Sequence, residues 1–97
     1  MTSETLEIDG TPFTGVRLRT EHTTLLLIQG KKANLGCAYF SLGPADKLGD
    51  RFAIVTGVKS FDEMLEARVV AVSNTAALCG VKPEMTGREA LLRMERN

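Results

Sequence analysis

Apolar positions in the first 42 residues follow the two-residue period and the short apolar runs that are typical of β-strands. Asp9 and Gly10 tolerate the positive φ angles of a tight turn, so the chain should open with a hairpin. The polar turn at residues 30–34 separates a second pair of β-favouring segments. Strands are therefore predicted at residues 5–8, 13–19, 23–29 and 35–42.

The run at residues 25–28 is apolar at every position, and residues 35–40 are nearly so. Successive side chains of a strand point to opposite faces, so these strands cannot leave one face in water. A chain of 97 residues has little material with which to cover both faces. We therefore expect the protein to form a homo-oligomer.

Helix signals replace the strand pattern in the second half of the chain. Pro44 favours the first turn of a short helix that Gly49 ends, and residues 52–56 follow as a brief buried strand. Ser60 and Glu63 then fit a capping box, in which each side chain bonds a backbone amide at the start of a helix. That helix is predicted to continue to about residue 66.

Two further helices are predicted before the end of the chain. An apolar stripe over residues 69–79 recurs at helical spacing and stops at Gly80. Thr86 and Glu89 form a second capping box, which opens an amphipathic helix. Residues 95–97 are expected to fray after it.

The order of these signals, strands first and helices second, is typical of an α+β domain. We expect a mainly antiparallel sheet from the N-terminal half, with three or four helices from the C-terminal half packed on it. The length and the 43% hydrophobic content are those of one small globular domain, which should span residues 1–97.

Charge and cysteine usage exclude several classes of function. Twelve basic and twelve acidic residues are scattered along the chain, so no basic run favours nucleic acid. No secretory signal and no membrane-length apolar segment are visible, and we expect a cytoplasmic protein without a membrane partner. Cys37 and Cys79 form no Cys-x-x-Cys pair, and a single histidine stands without clustered ligands. We therefore predict no metal site and no cofactor.

Three residues are candidates for binding a small anion: Gly87, Arg88 and Lys59. Gly87 and Arg88 occupy the first turn of the last helix, where free amides and a guanidinium attract a carboxylate or phosphate. The alternative is an ion pair of Arg88 on the surface or with a neighbouring subunit, because Glu89 already brings negative charge there. Lys59 lies in a loop between strand and helix whose spacing does not match a Walker A motif, and a solvated lysine is its alternative.

Cys37 is the candidate nucleophile of a small enzyme. It follows a glycine within a predicted strand, and a thiol needs a base or a cation nearby to become a thiolate. His22, in the turn between two strands, and Tyr39, two residues beyond the thiol, are the candidate helpers. The alternatives are a buried cysteine that acts as a small hydrophobe, a turn histidine and a core tyrosine.

The chain resembles the YunC-like family, a bacterial and archaeal domain of unknown function. The resemblance covers nearly the whole chain, and its most specific part is the C-terminal motif. The matching segments are residues 12–14 (PFT), 36–38 (GCA), 55–59 (VTGVK), 80–81 (GV) and 85–91 (MTGREAL). The family implies the fold but no established catalytic residue. We expect a binding or assembly module that forms a homo-oligomer and holds a small anionic ligand, with an enzyme using Cys37 as the alternative.

Overall fold

The computed structural model of the protein describes residues 2–97 and contains one six-stranded sheet. The strands lie side by side in chain order, and they are β1 (Thr2–Ile8), β2 (Thr11–Arg19), β3 (Thr24–Gln29), β4 (Asn34–Gly36), β5 (Ala53–Ile54) and β6 (Ala71–Val72). The helices are α1 (Leu42–Leu48), α2 (Phe61–Glu66), α3 (Asn74–Leu78) and α4 (Gly87–Arg96).

Within residues 2–97, only β4 and β5 pair in parallel. The other neighbouring strands are antiparallel. A parallel pair needs a crossover connection, and α1 provides it between β4 and β5. The predicted α+β class, with a mainly antiparallel sheet followed by packed helices, is confirmed.

The strand directions sort the connections to two ends of the sheet. The turns between β1 and β2 and between β3 and β4 lie at one end, which we call the turn end. The turn between β2 and β3 lies at the opposite end, together with the carboxyl ends of β4 and β5. We call this second end the carboxyl end. Residues that follow β4 and β5 therefore meet the turn at residues 20–23.

Helices α2 and α4 pack on one face of the sheet, the inner face. Gly15 of β2 lets the ring of Phe61 approach the backbone, since an added Cβ would lie 2.8 Å from that ring. A Cβ added at Gly87 of α4 would likewise lie 2.8 Å from the side chain of Leu35 in β4. These two glycines let the helices lie close to the sheet. The largest fully buried core side chains include Leu26, Ile28, Met64, Leu91 and Met94.

Helix α1 covers part of the opposite, outer face. The rings of Phe40 and Phe52, which flank α1 in the chain, pack over Gly36 with their centroids 5.7 Å apart. Ala45 of α1 is buried, whereas Leu48 is 75% exposed. The crossover thus shields the outer face at β4 and β5.

The outer face of β2 and β3 carries four aliphatic side chains in two cross-strand pairs. Val16 is paired with Leu27, and Leu18 with Leu25. Leu18 is 43% exposed and the other three are half-buried, and none of them belongs to the core cluster. Leu26 and Ile28, which alternate with them on β3, are fully buried on the inner face. We call the four outer residues the open face.

The predicted strand at residues 35–42 is wrong beyond Gly36. The amide of Phe40 donates to the carbonyl of Cys37 at 3.1 Å, which closes a turn. Ser41 then caps α1, since its hydroxyl accepts from the amide of Gly43 at 3.3 Å. The apolar run extends past the strand because Phe40 packs onto the sheet without being part of it.

The predicted helix at residues 69–79 is wrong in its first half. The amide of Val70 donates to the carbonyl of Ile54 at 2.8 Å, so the backbone joins the sheet before any helix begins. The hydroxyl of Ser73 accepts from the amide of Ala76 at 3.2 Å and caps the shorter α3. Helical spacing of apolar residues failed here because half of the stripe fills the core from extended backbone.

The predicted fraying of residues 95–97 is also wrong, because the Glu95 carboxylate binds the turn between β3 and β4. It accepts hydrogen bonds from the amides of Lys31, Lys32 and Ala33, at 2.7, 2.9 and 3.0 Å. Partial burial raises the pKa of Glu95, but these hydrogen bonds and the charge of Lys32 outweigh it and hold the pKa below its ordinary value. Glu95 therefore ties α4 to the turn end of the sheet.

Replacing Glu95 with glutamine removes one acceptor oxygen and the charge. We expect E95Q to lower the free energy of unfolding by about 1–2 kcal/mol at neutral pH, measured by urea denaturation. The lowered pKa means that this stabilisation is complete above pH 4.5, the ordinary value of the group, and disappears as the pH falls through the lower value of the folded state. E4Q, at an exposed position of β1, is the control and should change little. Equal stability of E95Q and wild type at neutral pH would contradict the assignment.

Candidate functional site

A cleft of about 450 Å³ opens at the carboxyl end of the sheet. Residues 37–39 follow β4 and residues 57–59 follow β5, and the parallel pairing brings both segments to one place. Crevices outside the carboxyl ends of parallel strands are a common place for ligands. The cleft is lined by Thr23, Thr24, Cys37, Ala38, Tyr39, Gly57, Val58 and Lys59.

An adjoining cleft of about 280 Å³ shares the two threonines, Val58 and Lys59 with the first. Arg19 and His22 complete its lining, so two cations, an imidazole and two hydroxyl groups surround it. None of the residues that line either cleft is an aspartate or a glutamate. We call the two clefts together the carboxyl-end site. Arg19 and Lys59 give its polar part positive charge, and its part around residues 37–39 and 57–58 is less polar.

Lys59 is held by its backbone and not by its side chain. Its amide donates to a carboxylate oxygen of Glu63 at 2.9 Å, while the hydroxyl of Ser60 accepts from the amide of Glu63 at 3.1 Å. The predicted capping box is therefore modified, since Glu63 reaches one residue further back than the cap. In the described chain, neither the Lys59 ammonium nor the Arg19 guanidinium forms an ion pair. Both cations remain free to meet an anion.

Cys37 lies in the wall of the site and is 9% exposed. Its amide donates to the carbonyl of Leu26 at 3.1 Å, which fixes the backbone beyond β4. Tyr39 is 65% exposed and is therefore not the core residue that its neighbours in the chain would suggest. His22 borders the adjoining cleft, where its Nε2 lies 3.7 Å from a carboxylate oxygen of Glu21. Within residues 2–97, no hydrogen bond joins the thiol to the imidazole or to the phenol.

Gly87 lies elsewhere and has a packing role. Its amide donates to the carbonyl of Ala67 at 2.9 Å, so it offers no free donor to a ligand. A Cβ at this position would clash with the carbonyl oxygen of Met64 and would meet Leu35 at 2.8 Å. Glycine is required here because α4 crosses the end of α2 at backbone contact.

Arg88 is also occupied within the chain. Its guanidinium lies 3.6 Å from the carboxylate of Glu66 and 4.0 Å from that of Asp9. Asp9 belongs to the turn end of the sheet, whereas Lys59 lies at the carboxyl end, so Arg88 and Lys59 do not share a site.

The capping box at the start of α4 is present as predicted, with Thr86 and Glu89 bonding each other's amides at 3.2 Å. The hydrogen bond from the backbone amide of Thr86, followed by that from its hydroxyl, lowers the pKa of Glu89. Glu89 thus stays ionised at the helix end, where its charge disfavours an added anion.

A third cleft, of about 390 Å³, lies near the β3–β4 turn and contains Lys32 and Arg51. These cations already have partners, since Arg51 donates to the carbonyls of Met94 and Asn97 and Lys32 donates to that of Asn97 at 3.0 Å. Cations at the last carbonyls of a helix stabilise its end. This cleft is therefore explained by the anchoring of α4.

Sequence reasoning missed Arg19, Thr23 and Thr24 as members of the site. They surround His22 in the chain, so the histidine was the only signal that pointed to this turn. Lys59, predicted to bind an anion together with Gly87 and Arg88, lies beside Cys37 and Tyr39, which were predicted to serve an enzyme. The parallel pairing that joins these segments is not visible in sequence spacing.

Comparisons with known proteins place the chain in a family. A model of a domain of unknown function, DUF1805, matches residues 36–94. The chain belongs to the DUF1805 family. It is 31% identical over 91 residues to the uncharacterised protein YunC of Bacillus subtilis, which covers 90% of each chain. This YunC-like relationship agrees with the resemblance inferred from the sequence motifs.

A solved structure shares the fold of this DUF1805 member. The crystal structure of a protein of unknown function from Thermoplasma acidophilum superposes with a TM-score of 0.91 at 30% identity, covering 96% of this chain and 91% of that one. The matched family region contains Cys37, Tyr39 and Lys59, whereas Arg19 and His22 precede it. Family membership therefore supports the architecture and leaves the activity to be argued from the site.

Residues 2–97 contain no group of three or more His, Cys, Asp or Glu side chains placed to hold a metal ion. None of the helices in the same range is long and apolar enough to cross a membrane.

Substituting Gly87 with alanine tests its packing role. We expect G87A to lower the free energy of unfolding by about 3 kcal/mol, because the methyl group meets a backbone carbonyl that cannot move aside. G43A is the matched control, since the nearest atom to its Cβ is the Ser41 hydroxyl at 3.7 Å. Alanine should leave α1 unchanged or stabilise it by up to about 1 kcal/mol. An unchanged melting temperature of G87A would show that α4 does not approach α2 this closely.

Proposed function

We propose that the protein is a binding and assembly module that holds a small anionic ligand in the carboxyl-end site. The observation that carries this proposal is the lining of the site, which combines Arg19, Lys59 and two threonine hydroxyls with no carboxylate. The site lies at the carboxyl ends of the one parallel strand pair of the described chain, where ligands commonly bind.

The anionic group of the ligand binds next to Lys59. Hydrogen bonds between a charged donor and a charged acceptor are about twice as strong as neutral ones, and the two cations have no competing acid within the lining. Thr23 and Thr24 offer hydroxyl donors to the same group. A carboxylate or a phosphate satisfies these partners.

The remainder of the ligand is compact and at least partly apolar. It occupies the wall formed by Ala38, Tyr39 and Val58, where the exposed tyrosine ring offers a surface for stacking. The lining of the larger cleft includes a single charged side chain, Lys59. An anion attached to an aromatic or aliphatic body therefore fits better than a free inorganic anion.

Phenyl phosphate, inorganic phosphate and phenol separate these contributions in a thermal-shift assay. We expect phenyl phosphate to raise the melting temperature by about 5–10 °C at about ten times its Kd, and each of the other two compounds to raise it less. K59A should weaken phenyl phosphate binding at least about tenfold. K82A, which removes an exposed lysine outside the site, and R88A should bind like the wild type. An equal loss of phenyl phosphate affinity in K59A and K82A would exclude a specific binding site at Lys59.

The alternative function is a small enzyme that uses Cys37 as nucleophile. One observation favours it: the thiol, Tyr39 and Lys59 line the same cleft, and His22 borders the next one. Against it, Cys37 is nine-tenths buried, and within residues 2–97 no hydrogen bond joins its thiol to a base. We therefore propose that Cys37 forms part of the wall of the binding site.

Alkylation by iodoacetamide distinguishes the two functions. A thiolate nucleophile would be alkylated faster than a free thiol, whereas a wall residue is alkylated slowly. In the folded chain, we expect iodoacetamide to alkylate Cys79, the more exposed thiol, before Cys37. Peptide mass spectrometry measures the extent of alkylation at each cysteine. Phenyl phosphate should slow Cys37 further and leave Cys79 unchanged. Rapid, selective alkylation of Cys37 would favour the enzyme.

We also propose that the chain assembles as a homo-oligomer. The open face supports this, because four aliphatic side chains outside the core remain partly exposed. Light scattering should give a mass above the 10.5 kDa of one chain at micromolar concentration. A mass of one chain would contradict the proposal.

A further inference from the structure

We infer that the open face and the exposed edge of α1 together form a two-fold interface for a second copy of this chain. This inference rests on the proposed homo-oligomer and assigns a surface to it. The open face consists of Val16, Leu18, Leu25 and Leu27 on the outer side of β2 and β3.

The open face is one contiguous patch. Cross-strand pairing places Leu27 beside Val16 and Leu25 beside Leu18. The four side chains lie outside the core cluster, whereas Phe13, Leu26 and Ile28 of the same strands belong to it. Contact with the exposed edge of the partner's α1 would bury these aliphatic side chains.

The outer side of the first three strands carries little charge. A quarter of the chain is charged, yet within residues 2–29 the outer positions of β1, β2 and β3 include a single charged residue, Glu7. Glu7 lies near the turn end, opposite to Leu18 and Leu25. A face that meets its own copy brings identical charges together, and a neutral face avoids that repulsion. A strongly charged partner would find no opposite charges on the open face.

The open side of the first three strands is too small to form a stable interface by itself. Strands of seven, nine and six residues are about 20–30 Å long and lie about 4.8 Å apart. They offer roughly 350 Å², less than half of the ~800 Å² per partner of a stable interface. The partner must therefore also contact the neighbouring α1. That helix presents Leu48, 75% exposed, and Tyr39 just before it, 65% exposed, beside a groove of about 320 Å³.

The shape of the outer side of the sheet is complementary to that of a second copy. Helix α1 rises over β4 and β5, and the open face next to it on β2 and β3 is lower. In a two-fold pair, the raised half of one copy faces the lower half of the other. Leu48 then packs against the partner's open face, and each copy repeats the contact.

Charge substitutions on this side test the interface by light scattering. We expect L18E and L48E each to convert the oligomer to single chains at the concentration where the wild type is associated. L78E is the matched control, because Leu78 is 88% exposed on α3 and lies outside the proposed surface. It should retain the wild-type mass. L18Q, an uncharged change at the same open-face position, gives a second test if L18E fails to fold.

The outcomes separate the two proposals. A wild-type chain that is monomeric overturns both the homo-oligomer and this interface. If the oligomer persists in L48E and also in L18E, or in L18Q where L18E does not fold, the interface is overturned and the oligomer stands. Dissociation by L78E to the same extent as by L18E also overturns the interface. Dissociation by L48E and the open-face variant, with L78E intact, supports it.

Discussion

The parallel pairing of β4 and β5 is the constraint on which the rest of this fold depends. Antiparallel neighbours can be joined by tight turns, but a parallel neighbour requires the chain to return to the starting end of the sheet. Helix α1 makes that return across the outer face, and Phe40 and Phe52 seat it on Gly36. Two loops thereby leave the sheet at the same end, where they form the carboxyl-end site.

The same crossover explains why the two faces of the sheet differ. The inner face is covered by α2 and α4, whose close approach depends on Gly15 and Gly87. The outer face receives only α1, which reaches β4 and β5 and leaves the aliphatic residues of β2 and β3 partly exposed. The proposed binding site and the proposed interface thus lie on different surfaces, one at an end of the sheet and the other on its outer side.

Local signals predicted the parts of the fold that local interactions decide. The three strands before residue 30, the cap at Ser60 and the full capping box at Thr86 all appear. The errors at residues 35–42 and 69–79 have one cause, since apolar periodicity records which residues are buried and not which backbone buries them. The sequence predicted some residues of the site singly but did not show that they lie together. The parallel pairing of β4 and β5 brings them together, and the spacing of residues along the chain does not reveal that pairing.

The structure explains two residues of the C-terminal motif by contacts within the chain. Gly87 is explained by backbone contact with α2, and Arg88 by its pairing with Asp9 and Glu66. The cations that remain unpaired in the described chain include Lys59, which lies beside Cys37 and Tyr39. An anion site thus fits the carboxyl end of the sheet better than the start of α4.

The most direct test of this account is an amide chemical-shift titration of the isotope-labelled protein with phenyl phosphate. The account predicts that the largest shifts fall on residues 23–24, 37–39 and 57–59, with a common affinity at all of them. Shifts that centre on Gly87 and Arg88, or that scatter over the surface without saturating, would contradict it.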